Sequence, residues 1–110
     1  MAAKYLLGLD IGGTKTAVLL GDLAGEVYLR EEFATRTERG FAATFDELCE
    51  TVARVRAGAA AAGRLPEAVS VSIGGPLEIE AGVVQSPPNL PGWDAVPLKR
   101  SLEERCSLPV

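Results

Sequence analysis

The apolar positions come first in short runs and then at helical spacing. Tyr5–Asp10 is a compact apolar run closed by an acid, and Lys15–Gly21 is a second run beyond a glycine turn. Together they predict a buried strand and its antiparallel partner. Asp22-Leu23-Ala24-Gly25 reads as a turn opened by an acid, whose carboxylate can bond nearby backbone amides. Glu26–Thr35 predicts a third strand with Val27, Leu29 and Phe33 on one alternating face. Three consecutive strands joined by short turns make an antiparallel meander.

The period then changes. Phe41, Phe45, Leu48, Val52, Val55 and Ala59 recur every three or four residues and predict one helix over Phe41–Ala62. Glu50 and Arg54 are spaced as an i, i+4 ion pair on its polar side, and Gly63 with Pro66 supplies its stop. Ala68–Ile73 reads as a strand that can lie parallel to an earlier one, since a helix separates them. Gly74-Gly75-Pro76 ends it, and Leu77–Gln85 suits a small hairpin turning at Glu80-Ala81-Gly82. Ser86–Asp94 is too rich in proline for regular structure. Pro97 suits the first turn of a short helix with Leu98, Leu102 and Cys106 on its apolar side, and Leu108-Pro109-Val110 resembles the start of a further strand.

Composition narrows the class of protein. The 110 residues suit one domain or part of one, and 47% apolar residues suffice for a core. No apolar run approaches the roughly 18 residues of a membrane span, and Met1-Ala2-Ala3-Lys4 carries no signal-peptide pattern. A net charge of −4 without a basic cluster argues against a nucleic-acid partner. Cys49 and Cys106 lack metal-ligand spacing and read as reduced, partly buried residues of a cytoplasmic protein. With no histidine in the sequence, Ser-His-Asp, Cys-His and His-metal chemistries are excluded within it.

The chemistry is concentrated in Asp10-Ile11-Gly12-Gly13-Thr14-Lys15. Gly12 and Gly13 let the backbone turn tightly and approach a phosphate. Their N–H groups, the Thr14 hydroxyl and the Lys15 ammonium can then face the anion, while Asp10 at the strand end suits Mg²⁺ held through water. The two common glycine-rich phosphate motifs lead from a strand into a helix, whereas Thr16–Leu20 here is β-branched and apolar. An ordinary Gly-Gly hairpin explains the turn. It does not explain the acid before it or the Thr-Lys after it.

Leu9-Asp10-Ile11-Gly12-Gly13-Thr14-Lys15 resembles the first phosphate motif of the ROK family, which groups sugar kinases with repressors and open reading frames. Ile73-Gly74-Gly75-Pro76-Leu77-Glu78 is similar to the family's Pro-Gly-Pro-Val-Asp segment, with Gly74 in place of its first proline. Asn89-Leu90-Pro91-Gly92-Trp93, followed by Val96-Pro97-Leu98, resembles the stretch before the family's sugar-site helix.

The resemblance implies an α/β, actin-like ATPase (ribonuclease H-like) fold: a three-strand antiparallel meander, a crossover helix and a parallel strand. It implies ATP-dependent phosphorylation of a hexose or N-acetylhexosamine. Asp10 would serve Mg²⁺, and Gly12, Gly13, Thr14 and Lys15 would surround the β/γ-phosphates of ATP. Gly75 and Asn89 would contact the sugar substrate, although apart from the resemblance a strand-end turn glycine and a loop cap explain them better. The family's general base, an aspartate in an Asn-Asp pair, falls after Val110, as do its zinc site and its adenosine-binding lobe. Residues 1–110 are thus expected to be an N-terminal lobe, inactive alone, from a protein that forms homo-oligomers. Its surface for the second lobe is expected to drive dimerisation. Two other readings share the motif. A sugar-sensing ROK regulator carries a DNA-binding segment ahead of this domain, for which a strand starting at Tyr5 leaves no room. An actin-like activator ATPase shares Gly-Gly-Thr-Lys-Thr, but Asn-Leu-Pro-Gly-Trp does not fit it.

Overall fold

The computed structural model describes residues 4–73, 77–78, 83–84 and 96–110. Strands β1 (Tyr5–Ile11), β2 (Lys15–Asp22) and β3 (Val27–Ala34) form the meander. A single 3₁₀ turn (Thr37–Arg39) leads into helix α1 (Gly40–Ala61), which returns the chain to β4 (Pro66–Ile73). The sheet order is β3-β2-β1-β4, with β1 antiparallel to β2 and parallel to β4. Two-residue strands β5 (Leu77–Glu78) and β6 (Val83–Val84) pair antiparallel, as the expected hairpin requires. Helix α2 (Leu98–Cys106) follows.

Register assigns the faces, because paired residues share a side of the sheet. Leu7, Leu9 and Ile11 lie level with Leu20, Val18 and Thr16 of β2 and with Val69, Val71 and Ile73 of β4. These apolar residues form one cluster with Phe45, Leu48, Val52, Val55 and Ala59 of α1 and Leu98, Leu102 and Cys106 of α2. Leu7, Val18, Leu20, Leu48 and Leu102 are wholly buried there. Each such side chain contributes about 1.5–3 kcal/mol by leaving water. The opposite face carries Gly8, Asp10, Ala17, Leu19, Ser70 and Ser72. Leu19 lies over Gly8, where a Cβ would come within 2.9 Å of the leucine Cδ1.

Helix α1 matches its expected apolar stripe, and its end is a Schellman motif. Gly63 takes φ 72°, its N–H bonds Ala60 C=O at 3.0 Å, and Arg64 N–H bonds Ala59 C=O at 2.8 Å. Three expectations are corrected. Arg54 does not pair with Glu50; its Nε bonds Glu31 of β3 at 3.1 Å, because the helix packs on that strand. Pro97 is the N-cap of α2, one position outside the first turn. A bulge in the β2–β3 pairing breaks the alternation of β3, since Leu20 faces Leu29 but Gly21 faces Val27. Val27 is therefore turned to the Gly21 side and is 51% exposed, while Leu29 and Phe33 pack against the core. At the chain's end, Val69 N–H of β4 bonds Pro109 C=O at 2.8 Å, so Leu108–Val110 does begin to add to the free edge of β4.

Candidate functional site

Strand β1 delivers Asp10 to the carboxyl end of the sheet, between Ala17 of β2 and Ser72 of β4. Its carboxylate is exposed and bonds none of the described residues. The chain then reverses through Gly12–Lys15. Gly12 N–H bonds Lys15 C=O at 3.0 Å, and a Cβ on Gly12 would stand 2.9 Å from that oxygen. Close approach is thus what requires glycine at this position. The Gly12 N–H is used inside the turn, so it is not a donor for an outside anion.

Threonines that the sequence reading did not single out hold the turn from beneath. Thr35 Oγ1 donates to Gly12 C=O at 2.7 Å, and Thr35 N–H donates to Thr14 C=O at 2.9 Å. Thr16 and Thr35 hydroxyls lie 2.8 Å apart, and both side chains are wholly buried. The carbonyl of Thr35 accepts from Arg39 Nε at 3.2 Å and lies 3.3 Å from Thr44 Oγ1, whose proton it shares with Gly40 C=O at 3.1 Å. Arg39 in turn pairs with Glu47 of α1. A signal was present: Thr16 shares the core-facing side of β2 with Val18 and Leu20, and a buried hydroxyl needs a partner.

Thr14 and Lys15 are exposed on the rim. The Lys15 ammonium stands 3.8 Å from Glu32 with 71% of its side chain in solvent, so it is free to swing to an anion. The hydrogen bond from Arg30 to Glu32, at 2.8 Å, holds the Glu32 carboxyl below its usual pKa, and the charge of Lys15 adds to this. No group of three or more His, Cys, Asp or Glu side chains suited to a metal occurs among the described residues. Asp10 alone thus suits an ion held largely by water and ligand oxygens. Both cysteines are free and buried, and burial pushes their thiols above the usual pKa. Gly75 and Asn89 lie outside the described residues. No described helix is long and apolar enough to cross a membrane.

A mixed sheet of three antiparallel strands, a crossover helix and a parallel fourth strand is the actin-like ATPase fold, and solved structures of that fold superpose on it. The chain belongs to the ROK family, whose profile matches residues 6–110. It is 33% identical over 107 residues to a glucokinase of Thermotoga maritima, covering 96% of this chain and 32% of that protein. It is similar to a ROK family glucokinase from Streptomyces griseus solved with glucose and AMPPNP. That likeness has a TM-score of 0.79 and 31% identity, over 99% of this chain and 32% of the other. A ROK family transcriptional regulator, a homologue of the E. coli MLC protein, shares the fold alone, with a TM-score of 0.81 at 17% identity over 96% of this chain and 26% of the other. The chain thus spans about a third of the length of the glucokinases it matches.

Proposed function

We propose that the chain is the N-terminal, phosphate- and sugar-binding lobe of an ATP-dependent hexose or N-acetylhexosamine kinase. The observation that carries this reading is the exposed Asp10 carboxylate beside the Gly12–Lys15 turn, in a ROK chain about 30% identical to two glucokinases. Gly13 N–H, the Thr14 hydroxyl and the Lys15 ammonium hold the β/γ-phosphates, and Asp10 orients the water shell of Mg²⁺. Magnesium supplies charge neutralisation on the transferring phosphoryl group. Gly75 and Asn89 are assigned to the sugar. No acid of residues 1–110 is assigned as the base that takes the sugar hydroxyl's proton, so the chain alone binds without phosphorylating. The regulator shares only the fold at its low identity, and no particular observation favours that reading.

The test is titration of the ¹⁵N-labelled chain with Mg·ATP, followed by amide NMR. Saturable shifts centred on Asp10–Lys15, with no transfer to glucose, mannose or N-acetylglucosamine, are expected. Absence of any response in that segment overturns the phosphate assignment. Hydrolysis of ATP by the chain, indifferent to all three sugars, favours the activator-ATPase alternative.

A further inference from the structure

Thr35 spends its whole polar capacity at one place. Its N–H and hydroxyl hold Thr14 C=O and Gly12 C=O, and its own carbonyl takes Arg39 and shares the Thr44 hydroxyl with Gly40 C=O. A threonine hydroxyl has a single proton. Thr35 gives that proton to Gly12, so the 2.8 Å bond between the two hydroxyls is donated by Thr16. The direction of the chain Thr16 → Thr35 → Gly12 C=O is therefore fixed by proton count.

This chain of bonds decides which amides of the turn face outward. In a trans peptide the carbonyl and the following N–H point to opposite sides, and no cis peptide occurs among the described residues. Drawing Gly12 C=O down onto Thr35 turns Gly13 N–H away from the buried threonines, toward the side where an anion can reach it. The residue after Thr35, Arg36, takes φ 49°, a left-handed conformation unusual for a long side chain, before the chain enters the 3₁₀ turn.

The geometry points to the buried Thr16–Thr35 hydroxyl pair as the positioning device of the phosphate turn, presetting Gly13 N–H for the nucleotide's phosphates. This rests on the reading of that turn as a phosphate site. Neither hydroxyl touches the ligand; both act through Gly12. A preset donor lowers the reorganisation needed when charge arrives.

Two readouts on the ¹⁵N-labelled 110-residue chain test it. The first, without nucleotide, is hydrogen exchange at Gly12 N–H, which reports opening of the turn. Thr35→Val is expected to speed it by about tenfold, the factor matching loss of one net buried hydrogen bond, while Leu7 and Leu9 of β1 keep wild-type protection. The second is Mg·ATP affinity, expected to fall by about tenfold or more in Thr35→Val and to recover in Thr35→Ser. If Thr35→Val does not fold, Thr16→Val carries the test, since it removes the donor to Thr35 and is expected to loosen the turn in the same direction.

Wild-type exchange and affinity in the folded valine variant overturn the proposal, because the hydroxyls then merely satisfy each other. Equal losses across β1 and the turn overturn it too, since they indicate general destabilisation. A wild-type chain that ignores Mg·ATP defeats the functional reading and the phosphate role together. In that event the exchange data still establish separately whether the pair shapes the turn.

Discussion

A single atom separates a working turn from a strained one at Gly12. A methyl group there would sit 2.9 Å from Lys15 C=O, against backbone that cannot swing aside. Gly12→Ala must therefore open the Gly12–Lys15 bond, at a cost of about 1–3 kcal/mol. A lower denaturation midpoint and loss of the Mg·ATP response at Gly13–Lys15 are expected, measured by urea titration and amide NMR. Unchanged stability would mean that the turn has room that its geometry denies. The sequence placed Asp10, Gly12, Gly13, Thr14 and Lys15 on one turn because the acid, the glycines and the Thr-Lys follow one another directly. It was silent on Thr35, because that contact joins residues 23 apart and only the meander brings them together. The spent N–H of Gly12 was equally hidden, since glycine spacing does not reveal which amides a turn consumes.

Among the elements, the β2–β3 hairpin is closed by side chains as well as by its ladder. Asp22 Oδ1 accepts from the backbone of Ala24 at 2.9 Å and of Glu26 at 3.0 Å, and Tyr28 donates to Asp22 Oδ2 at 2.6 Å. Tyr5 meets Tyr28 edge-on, and the Arg64 guanidinium lies 4.3 Å from the Tyr28 ring centre. The bond from Tyr28, then that from Glu26 N–H, holds the Asp22 carboxyl below 3.8, and the bond to Asp22 pushes the Tyr28 phenol up to about 12. A depressed carboxyl stabilises the fold above its unfolded pKa, and this contribution is lost as pH falls through the folded value. A raised phenol stabilises below its unfolded pKa, and that is lost as pH climbs from 10 toward 12. The stability difference between wild type and Tyr28→Phe is thus expected to be largest near neutral pH and to shrink below pH 3.8 and above pH 10. Denaturant midpoints at acid, neutral and alkaline pH measure it, and a flat difference would remove the pair from the account. The Asp22 turn was legible, since an acid opening a turn is local chemistry. The bulge that frees Tyr28 to reach Asp22 was not, because one extra residue in β3 leaves its β-forming composition unchanged. Helix α1 was legible nearly to its ends because its periodic stripe is long. Its true partner for Arg54 was not, since a charge's nearest acid can lie on another element.

At the scale of the whole molecule, the sheet is covered unequally. Both described helices join the cluster on the Leu7–Leu9 face. The other face presents Gly8, Gly21, Ala17, Ser70 and Ser72 with the charged Asp10, Arg30 and Glu32, and half-buried Leu6 and Leu19 and exposed Val27 are its larger apolar groups. Leu6, Leu19 and Val27 make up its apolar part, around Gly8 and Gly21. In relatives three times as long, more chain is available to cover it. In 110 residues alone it is expected to find a second copy of itself, since apolar sheet surface left in water favours association. Sedimentation velocity should therefore show apparent mass rising with concentration. Leu19→Lys is expected to restore the monomer, because a buried ammonium opposes self-contact, while Asp10 on the same face remains in place. Leu65→Lys, at a 66% exposed position beside β4, serves as the control that leaves association unchanged. A monomer at every concentration would show that the small-residue face is already soluble. Association that ignores Leu19 but yields to Leu65→Lys would move the contact to the groove of Ala53, Ala57, Ala60 and Pro66 at the other side of α1. The two variants thus separate the sheet face from the helix face as the surface awaiting a partner.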